Sequence, residues 1–222
     1  MSSNPILELE NVQIKQQDNI ILNNISLKVN KGEFIYFVGK TGSGKSSLLK
    51  SLYGDVKIKE GNIFFNKKPL KKMSRKNILA LRRKIGIIFQ DFELLMDRSI
   101  EDNLKFVMKA TGWKGKSKIE KTTNELLEKV EMAAKAKSYP HLISGGEQQR
   151  TAIARALVND PEIIIADEPT GNLDPETSEK IISLLKDIAK ENKTVIMATH
   201  DYDIINKFPG RIIKFENQKI SE

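Results

Sequence analysis

The chain has 222 residues, of which 39% are hydrophobic and 30% charged, a balance typical of a globular protein rather than a disordered one. It contains no cysteine, which excludes a disulfide framework and thiolate zinc sites. No apolar run approaches the roughly 18 residues of a membrane span, and the N-terminus lacks the layout of a signal peptide. We therefore expect a cytoplasmic protein.

The net charge is +8, carried mostly by lysine, and the densest basic segment is 67–84. One interpretation is contact with nucleic acid or with the anionic inner surface of a membrane. Lys and Glu are mixed throughout the chain, however, and no aromatic residues interleave with this run. We favour a solvated lysine-rich face and expect no nucleic acid partner.

Five strands and two helices are predicted in the first ninety residues. A helix is predicted to follow a glycine-rich loop and to end at Gly54, and a basic helix is predicted at 75–84. Alternating or continuously apolar runs predict strands at 6–14, 20–29, 34–39, 61–65 and 84–90.

The middle of the chain, 91–157, carries little strand signal. Its apolar residues recur at helical spacing, and one more helix is predicted from Gly146 onward. Strands and helices alternate over 158–222 and end in a hairpin. This order predicts a single α/β domain, 1–222, with a mostly parallel sheet. Its core comprises 1–90 and 158–222, and 91–157 is an inserted helical subdomain.

The strongest motif is GKTGSGKS, which matches G-x-x-x-x-G-K-[ST] between a predicted strand and a predicted helix. Its glycines let backbone N–H groups point inward, and the helix adds its positive end, which makes a phosphate cradle. Lys45 is expected to reach the β- and γ-phosphates, and the Ser46 hydroxyl to ligate Mg²⁺. The predicted ATP-binding residues are Gly39, Lys40, Thr41, Gly42, Ser43, Gly44, Lys45, Ser46 and Ser47.

Two carboxylates follow the apolar strand of IIIADEP. In a doubly wound sheet, ligand chemistry collects at the carboxyl ends of the strands, where Asp167 and Glu168 fall. We expect Asp167 to hold Mg²⁺, mainly through water. Glu168 is expected to accept a proton from the attacking water or to orient it.

His200 and Gln90 also close predicted strands. The His200 imidazole is expected near the γ-phosphate, where it can stabilise developing charge. The Gln90 amide is expected to ligate Mg²⁺ and to orient water. Each residue alone is a weak signal, and the prediction depends on the whole set.

The sequence ISGGEQQR suggests a second anion site, because two glycines and a serine precede a helix. One phosphate loop is already present about a hundred residues earlier. We therefore expect this second site to meet the nucleotide of another copy of the chain. Its residues are Ser144, Gly145, Gly146 and Glu147.

Taken in order, these motifs resemble the ATP-binding subunits of ABC transporters, P-loop NTPases, over essentially the whole chain. The resemblance implies an N-terminal antiparallel β subdomain, a head-to-tail homodimer that sandwiches two ATP molecules, and Mg²⁺-dependent ATP hydrolysis. The phosphate loop is then the Walker A motif, Asp167 and Glu168 the Walker B pair, and His200 the switch histidine. Gln90 marks the Q-loop and Ser144 opens the signature. The D-loop comprises Asn172, Leu173 and Asp174.

Within this family, LLMDRSIEDNL resembles a cell-division group whose members pair with an FtsX-like permease in the membrane. This resemblance implies a peripheral position on the inner face of the cell membrane. ATPases of lipoprotein release and of macrolide or peptide export share SGGEQQR and remain an alternative. A DNA-repair ATPase is disfavoured because no long coiled coil separates the motifs, and a P-loop kinase or GTPase because the signature is present.

Two further expectations concern specificity and docking. The family usually stacks an aromatic residue on adenine, and 12–21 contains none, so weaker base selectivity is expected. The apolar run 92–100 is expected to form part of the dock for the membrane partner. The alternative is that Phe92, Leu94 and Leu95 pack the helical insertion onto the core.

Overall fold

The computed structural model describes residues 5–71 and 73–222, which form two β-sheets and the helices that cover them. The strands are β1 (Leu7–Gln16), β2 (Asn19–Val29), β3 (Phe34–Val38), β4 (Ile58–Phe65), β5 (Lys68–Pro69), β6 (Ile85–Ile88), β7 (Ile163–Asp167), β8 (Thr194–Thr199), β9 (Arg211–Glu216) and β10 (Lys219–Ser221).

The larger sheet has six strands in the order β10-β9-β3-β8-β7-β6. Strands β9, β3, β8, β7 and β6 run parallel, and β10 pairs antiparallel with β9 as a terminal hairpin. The three central strands are almost entirely buried, which explains why their sequences are continuously apolar. Their carboxyl ends meet at one edge.

The smaller sheet is antiparallel, with the order β2-β1-β4-β5. Its apolar side chains join those of β3 and the first helix in one core cluster. The predicted α/β fold, with a mostly parallel sheet and an N-terminal antiparallel sheet, is confirmed.

The helices are α1 (Lys45–Leu52), α2 (Arg75–Arg82), α3 (Ile100–Ala110), α4 (Lys116–Lys129), α5 (Gly145–Leu157), α6 (Pro175–Lys190) and α7 (Tyr202–Lys207). Between β6 and β7 the described chain contains α3, α4, α5 and two 3₁₀ turns but no strand, as the hydrophobic spacing predicted. The division into a core of 1–90 and 158–222 and a helical subdomain of 91–157 stays a prediction.

Three predicted helix boundaries differ slightly. Helix α1 has its last helical residue at Leu52, because Gly54 adopts a φ of 71° and turns the chain. Helix α2 ends at Arg82 because Lys84 already leads into β6. Helix α5 begins one residue early, at Gly145, because Ser144 is its N-cap.

The run 92–100 is less exposed than expected. Leu94 is only 7% exposed and Ile100 is fully buried, so these two side chains belong to the core. Met96 remains exposed, and Leu95 and Phe92 are partly buried. Within the described ranges, no helix is both long and apolar enough to cross a lipid bilayer.

Candidate ATP site

The phosphate loop connects β3 to α1, as predicted. Gly42 and Gly44 have φ values of 82° and 100°, which favour glycine over any residue with a Cβ atom. Gly39 packs so closely that a Cβ atom there would lie 2.6 Å from the Phe215 carbonyl oxygen. The curled backbone therefore depends on glycine at these three positions.

Lys45 is 4% exposed and its ammonium group lies inside the loop. The Nζ atom donates hydrogen bonds to the carbonyl oxygens of Gly39, over 2.7 Å, and Lys40, over 3.2 Å. It also lies 3.8 Å from the Glu168 Oε1 atom. A single buried cation is thus held at the centre of the loop, where phosphate oxygens would be attracted to it.

Ser46 and Asp167 come together although 121 residues separate them. The Ser46 hydroxyl donates a hydrogen bond to Asp167 Oδ1 over 3.0 Å. Burial at the end of β7 raises the pKa of Asp167, while the Ser46 hydrogen bond acts in the opposite direction. Adjacent hydroxyl and carboxylate oxygens are the hard ligands that Mg²⁺ prefers.

Glu168 and His200 are also in contact. The His200 Nδ1 atom lies 2.9 Å from Glu168 Oε2, and the imidazole is mostly exposed. Glu168 has a φ of 47°, and its backbone N–H donates to the Ala198 carbonyl oxygen over 3.0 Å. The carboxylate is therefore oriented by its neighbouring strand β8 and bridges the loop lysine and the histidine.

Gln90 follows β6 and lies beside the D-loop. The Asn172 amide donates to the Gln90 carbonyl oxygen over 3.3 Å and to Asp91 Oδ1 over 3.1 Å. No role was predicted for Asp91, although its position directly after Gln90 could have suggested that it belongs to the site.

One cleft of about 250 Å³ is bordered by Lys45, Ser46, Gln90, Asp167 and Glu168. His200 does not line it, but borders an adjoining cleft of about 310 Å³ that shares Glu168. Two lining residues, Gln16 and Ile21, were not predicted; they flank the β1–β2 turn. None of the described lining residues is aromatic. The cleft is lined by Gln16, Ile21, Thr41, Gly42, Gly44, Lys45, Ser46, Ser47, Gln90, Asp167 and Glu168. Gly39, Lys40 and Ser43 belong to the loop without lining this cleft.

The signature residues lie at the start of α5 and do not line the cleft. The Ser144 Oγ atom accepts a hydrogen bond from the Glu147 N–H over 3.3 Å, and Glu147 Oε2 accepts one from the Ser144 N–H over 2.9 Å. These two bonds form a complete capping box. Hydrogen bonds from Lys135 and from Ser144 lower the pKa of Glu147.

The two signature glycines have a packing role within the chain as well. A Cβ atom on Gly146 would lie 2.5 Å from Thr177 Cγ2, and one on Gly145 would lie 3.3 Å from Leu173 Cδ2. Asp174 caps α6 by accepting from the Thr177 N–H over 2.9 Å. The D-loop and signature of one chain are therefore packed together.

Gln149, in the second turn of α5, was also missed by sequence reasoning. Its side chain is fully buried, and its Nε2 atom donates to the Pro169 carbonyl oxygen over 2.6 Å. The only sequence signal is its place within SGGEQQR. This bond ties the signature helix to the residue after Glu168.

The comparisons with known proteins agree with this geometry. The family described as ABC transporter matches residues 22–171. The cell division ATP-binding protein FtsE of Streptococcus pneumoniae strain D39 is 42% identical over 97% of this chain and 94% of its own. The methionine import ATP-binding protein MetN of Lactobacillus johnsonii is 37% identical over 97% of this chain and 63% of its own.

Two solved structures share the whole fold. The structure of cbiO1 from Clostridium perfringens, part of the ABC transporter complex cbiONQ, has a TM-score of 0.91 at 31% identity and covers 99% of this chain and 88% of its own. A dimeric, post-hydrolysis structure of the ATP-binding cassette MJ0796, bound to ADP and Pi, has a TM-score of 0.85 at 34% identity over 97% of each chain. This chain belongs to the ABC transporter family, as an ATP-hydrolysing, ATP-binding subunit.

Proposed function

We propose that this ATPase is Mg²⁺-dependent and acts as an ATP-bound homodimer on a permease-like membrane protein, as an FtsE-like subunit with an FtsX-like partner in cell division or cell-wall remodelling. One observation carries the proposal. The cleft brings the phosphate loop and both carboxylates together, whereas the second anion site, Ser144 to Glu147, opens elsewhere. Each chain would therefore supply the phosphate loop of one ATP site and the signature of another.

The hydrolytic step is assigned to Glu168. Its carboxylate is placed to orient a water molecule for in-line attack on the γ-phosphate, because its backbone is fixed to β8 and its Oε2 atom contacts His200. Lys45 would leave its two carbonyl partners for the β- and γ-phosphate oxygens. His200 would donate to the charge that develops on the γ-phosphate.

Ser46 and Asp167 are assigned to Mg²⁺, with Gln90 on the same cleft as a further oxygen ligand. The ion, when bound with ATP, neutralises charge on the phosphate oxygens. Asp167 must be deprotonated for this role, which burial opposes. Removal of divalent ions with EDTA is therefore expected to abolish hydrolysis, and added Mg²⁺ to restore it.

The homodimer is proposed from the position of the signature. The capping box uses the Glu147 N–H, but other N–H groups of the first turn of α5 and the Ser144 hydroxyl remain able to bind an anion. The dimeric structure of MJ0796, bound to ADP and Pi, supports this arrangement. Each ATP would lie between the phosphate loop of one copy and the signature of the other.

A second cleft, of about 390 Å³, is proposed to hold the membrane partner. It runs between α2, β6, α3 and α5, and its apolar lining includes Leu79, Leu95 and Phe106. Leu79 is 50% exposed and Phe106 is 47% exposed. Partly exposed apolar side chains around a cleft are typical of a protein contact.

The wall of this partner cleft is fixed by hydrogen bonds from a buried asparagine and a partly buried arginine. Asn103 is fully buried, donates to the Leu95 carbonyl oxygen over 3.0 Å and accepts from the Leu95 N–H over 2.8 Å. Arg155 donates to the carbonyl oxygens of Phe92, over 2.7 Å, and of Glu93. Both sets of hydrogen bonds fix the segment that follows Gln90. A partner bound in the cleft would therefore contact a segment that is rigidly connected to the ATP site.

The motif that resembles the cell-division group borders this cleft. Arg98 pairs with Asp97 over 2.8 Å and lies 4.8 Å from the centre of the Phe106 ring. Ser99 caps α3 and donates to Asp102 over 2.7 Å. The residues that favour an FtsE-like group are thus concentrated where partner choice would be decided. Through that partner the subunit would lie on the inner face of the cell membrane.

The dimer and the chemistry are tested together by Glu168→Gln. This variant is expected to bind ATP, to hydrolyse it barely, and to elute as a dimer when ATP and Mg²⁺ are present. Glu176→Gln, on the exposed start of α6, is the matched control and should retain normal turnover. A Glu168→Gln protein that stays monomeric at saturating ATP contradicts the shared ATP sites.

The partner is tested with Leu95→Glu. The expected result is normal ATP hydrolysis by the free subunit but loss of capture by an FtsX-like permease in detergent. Leu142→Glu, which charges an exposed leucine outside this cleft, is the control. Capture of the wild-type chain by a lipoprotein-release or macrolide-export permease, and not by the FtsX-like one, would assign the subunit to that alternative instead.

A further inference from the structure

The positive charge of the protein is concentrated in one short segment. Residues 57–84 contain eleven of the 37 basic residues and one of the 29 acidic residues. That segment carries a net charge of +10, which leaves the rest of the chain at −2. The excess charge of the whole protein is therefore a local feature.

In the structure this segment is the edge strand pair β4–β5 followed directly by α2. Lys67, Lys68 and Lys71 are exposed at β5, and Arg75 and Lys76 are exposed on the first turn of α2. We call these five residues the basic surface. The β5 segment and α2 adjoin, because Lys68 and Lys71 border the same groove as Asn77 and Ala80 of α2.

The basic surface is not neutralised by the protein itself. Within residues 5–71 and 73–222, two ion pairs involve the basic residues of 57–84: Arg82 with Asp55 over 3.8 Å, and Lys84 with Glu162 over 2.6 Å. Neither belongs to the basic surface. Lys71 donates a long hydrogen bond, 3.4 Å, to the Gly61 carbonyl oxygen. Like charges left together in this way repel one another and favour an anionic partner.

Helix α2 connects the basic surface to the partner cleft. Its exposed face carries Arg75, Lys76, Leu79 and Arg82, and both Leu79 and Arg82 line the partner cleft. Leu81, on the opposite face, is 4% exposed and packs into the core. A membrane protein in the cleft would therefore bring the basic surface close to the lipid bilayer.

We propose that the basic surface binds the anionic surface of a lipid bilayer. Several single ammonium groups on flexible stems suit a diffuse array of lipid phosphates, whereas recognition of single-stranded nucleic acid also requires exposed aromatic rings. Leu79 is the one large apolar side chain of 57–84 that is markedly exposed in the described chain. Placement of the surface beside the membrane rests on the proposed membrane partner, but the lipid contact itself does not require that partner.

The experiment is co-sedimentation of the purified wild-type chain with vesicles. Binding is expected to phosphatidylcholine vesicles that contain phosphatidylglycerol, and not to vesicles of phosphatidylcholine alone. The triple variant K67Q/K68Q/K71Q should bind the anionic vesicles less well by about fivefold per removed charge, or roughly a hundredfold in all. Added salt should weaken binding by the wild-type chain.

The matched control is K116Q/K118Q/K121Q, which removes three exposed lysines from α4 and should bind like the wild type. Both triple variants should hydrolyse ATP normally in the absence of vesicles, which shows that they are folded. An equal loss in the control, equal binding to neutral vesicles, or no binding to anionic vesicles overturns the proposal. The proposal is also overturned if K67Q/K68Q/K71Q loses binding to duplex DNA or to a detergent-solubilised permease while its binding to vesicles is unchanged.

The assay contains no membrane protein, so its failure leaves the proposed dimer and partner untouched. Those are judged by Glu168→Gln and Leu95→Glu. If both of these behave as expected and the vesicles are not bound, the lipid contact alone is rejected.

Discussion

The amide of Gln149 donates a hydrogen bond to the carbonyl oxygen of Pro169 over 2.6 Å, inside the protein core. It links the helix that carries the signature to the backbone directly after Glu168. Any shift of α5 when its N-terminus meets a nucleotide would therefore be transmitted to the loop that positions Glu168, the proposed catalytic carboxylate. The bond is a direct mechanical connection between the two halves of the proposed ATP chemistry.

Gln149→Leu is expected to lower kcat about tenfold, which corresponds to a loss of about 1.4 kcal/mol of transition-state stabilisation. ATP binding by the isolated subunit should stay unchanged, because Gln149 does not line the cleft. The cost in stability should be small, about 1 kcal/mol, since the Gln149 Oε1 atom is itself buried without a partner in the described structure. Turnover, nucleotide titration and thermal melting measure the three quantities. Gln148→Leu is the neighbouring control, and full turnover by Gln149→Leu would refute the link.

Gly146→Ala tests why glycine occurs in the signature. Alanine favours a helix by about 1 kcal/mol over glycine, but here its Cβ atom would lie 2.5 Å from Thr177 Cγ2. Overpacking of this kind typically costs about 1–3 kcal/mol, so a net loss of stability is expected. Thr177→Ser removes the clashing methyl group, and the double variant should regain stability in urea unfolding.

The variants at Gly146 and Thr177 also distinguish a packing role of the signature glycines from a role in ATP binding. If the glycines also serve the partner copy's ATP, the double variant should remain deficient in ATP-dependent dimerisation despite its restored stability. Thr177→Ser alone is the control and should dimerise normally. Full recovery of both properties would show that Gly146 is required only for packing against α6.

Glu147→Gln should change stability in a pH-dependent way. The pKa of Glu147 is lowered in the folded protein, chiefly by its hydrogen bond with Lys135, so its contribution is complete above the unfolded carboxyl pKa. It is lost as the pH falls through the folded pKa. The variant should therefore be less stable than the wild type at pH 7, by about 0.5 kcal/mol as for other largely exposed ion pairs, and equally stable in strong acid. Thermal melts across this range measure the difference, and a constant difference at all pH values would contradict it.

Base selectivity is expected to be weak. In the described chain the cleft offers Gln16 and Ile21, and no aromatic ring, near the β1–β2 turn. A glutamine amide both donates and accepts, so it can pair with adenine or guanine. ATP and GTP should compete within about tenfold of each other, because a single hydrogen bond to the base contributes only about 0.5–1.5 kcal/mol. Gln16→Tyr should tighten binding of both nucleotides in a competition titration, whereas Gln16→Ala should not. A strong preference of the wild type for ATP would contradict this prediction.

Sequence alone determined the elements and the main chemical groups. Continuous apolar runs over β3, β7 and β8 are typical of strands buried on both faces of a parallel sheet, and Glu168 and His200 directly follow β7 and β8. The glycine spacing around Lys45 permits only a few backbone paths, so the phosphate loop could be predicted from local preferences.

Tertiary structure alone decided which distant groups meet. The contacts of Ser46 with Asp167 and of Gln149 with Pro169 join segments that are remote in the sequence. In the sheet only β8 separates β7 from β3, the strand that leads into the loop, and α5 packs on the edge strand β6. The burial of Leu94, the exposure of Leu79 and the fit of Gly146 against Thr177 likewise depend on neighbours that are remote in the sequence. Local patterns fix hydrogen bonding and hydrophobic faces within an element, whereas distances between elements follow from how their side chains pack.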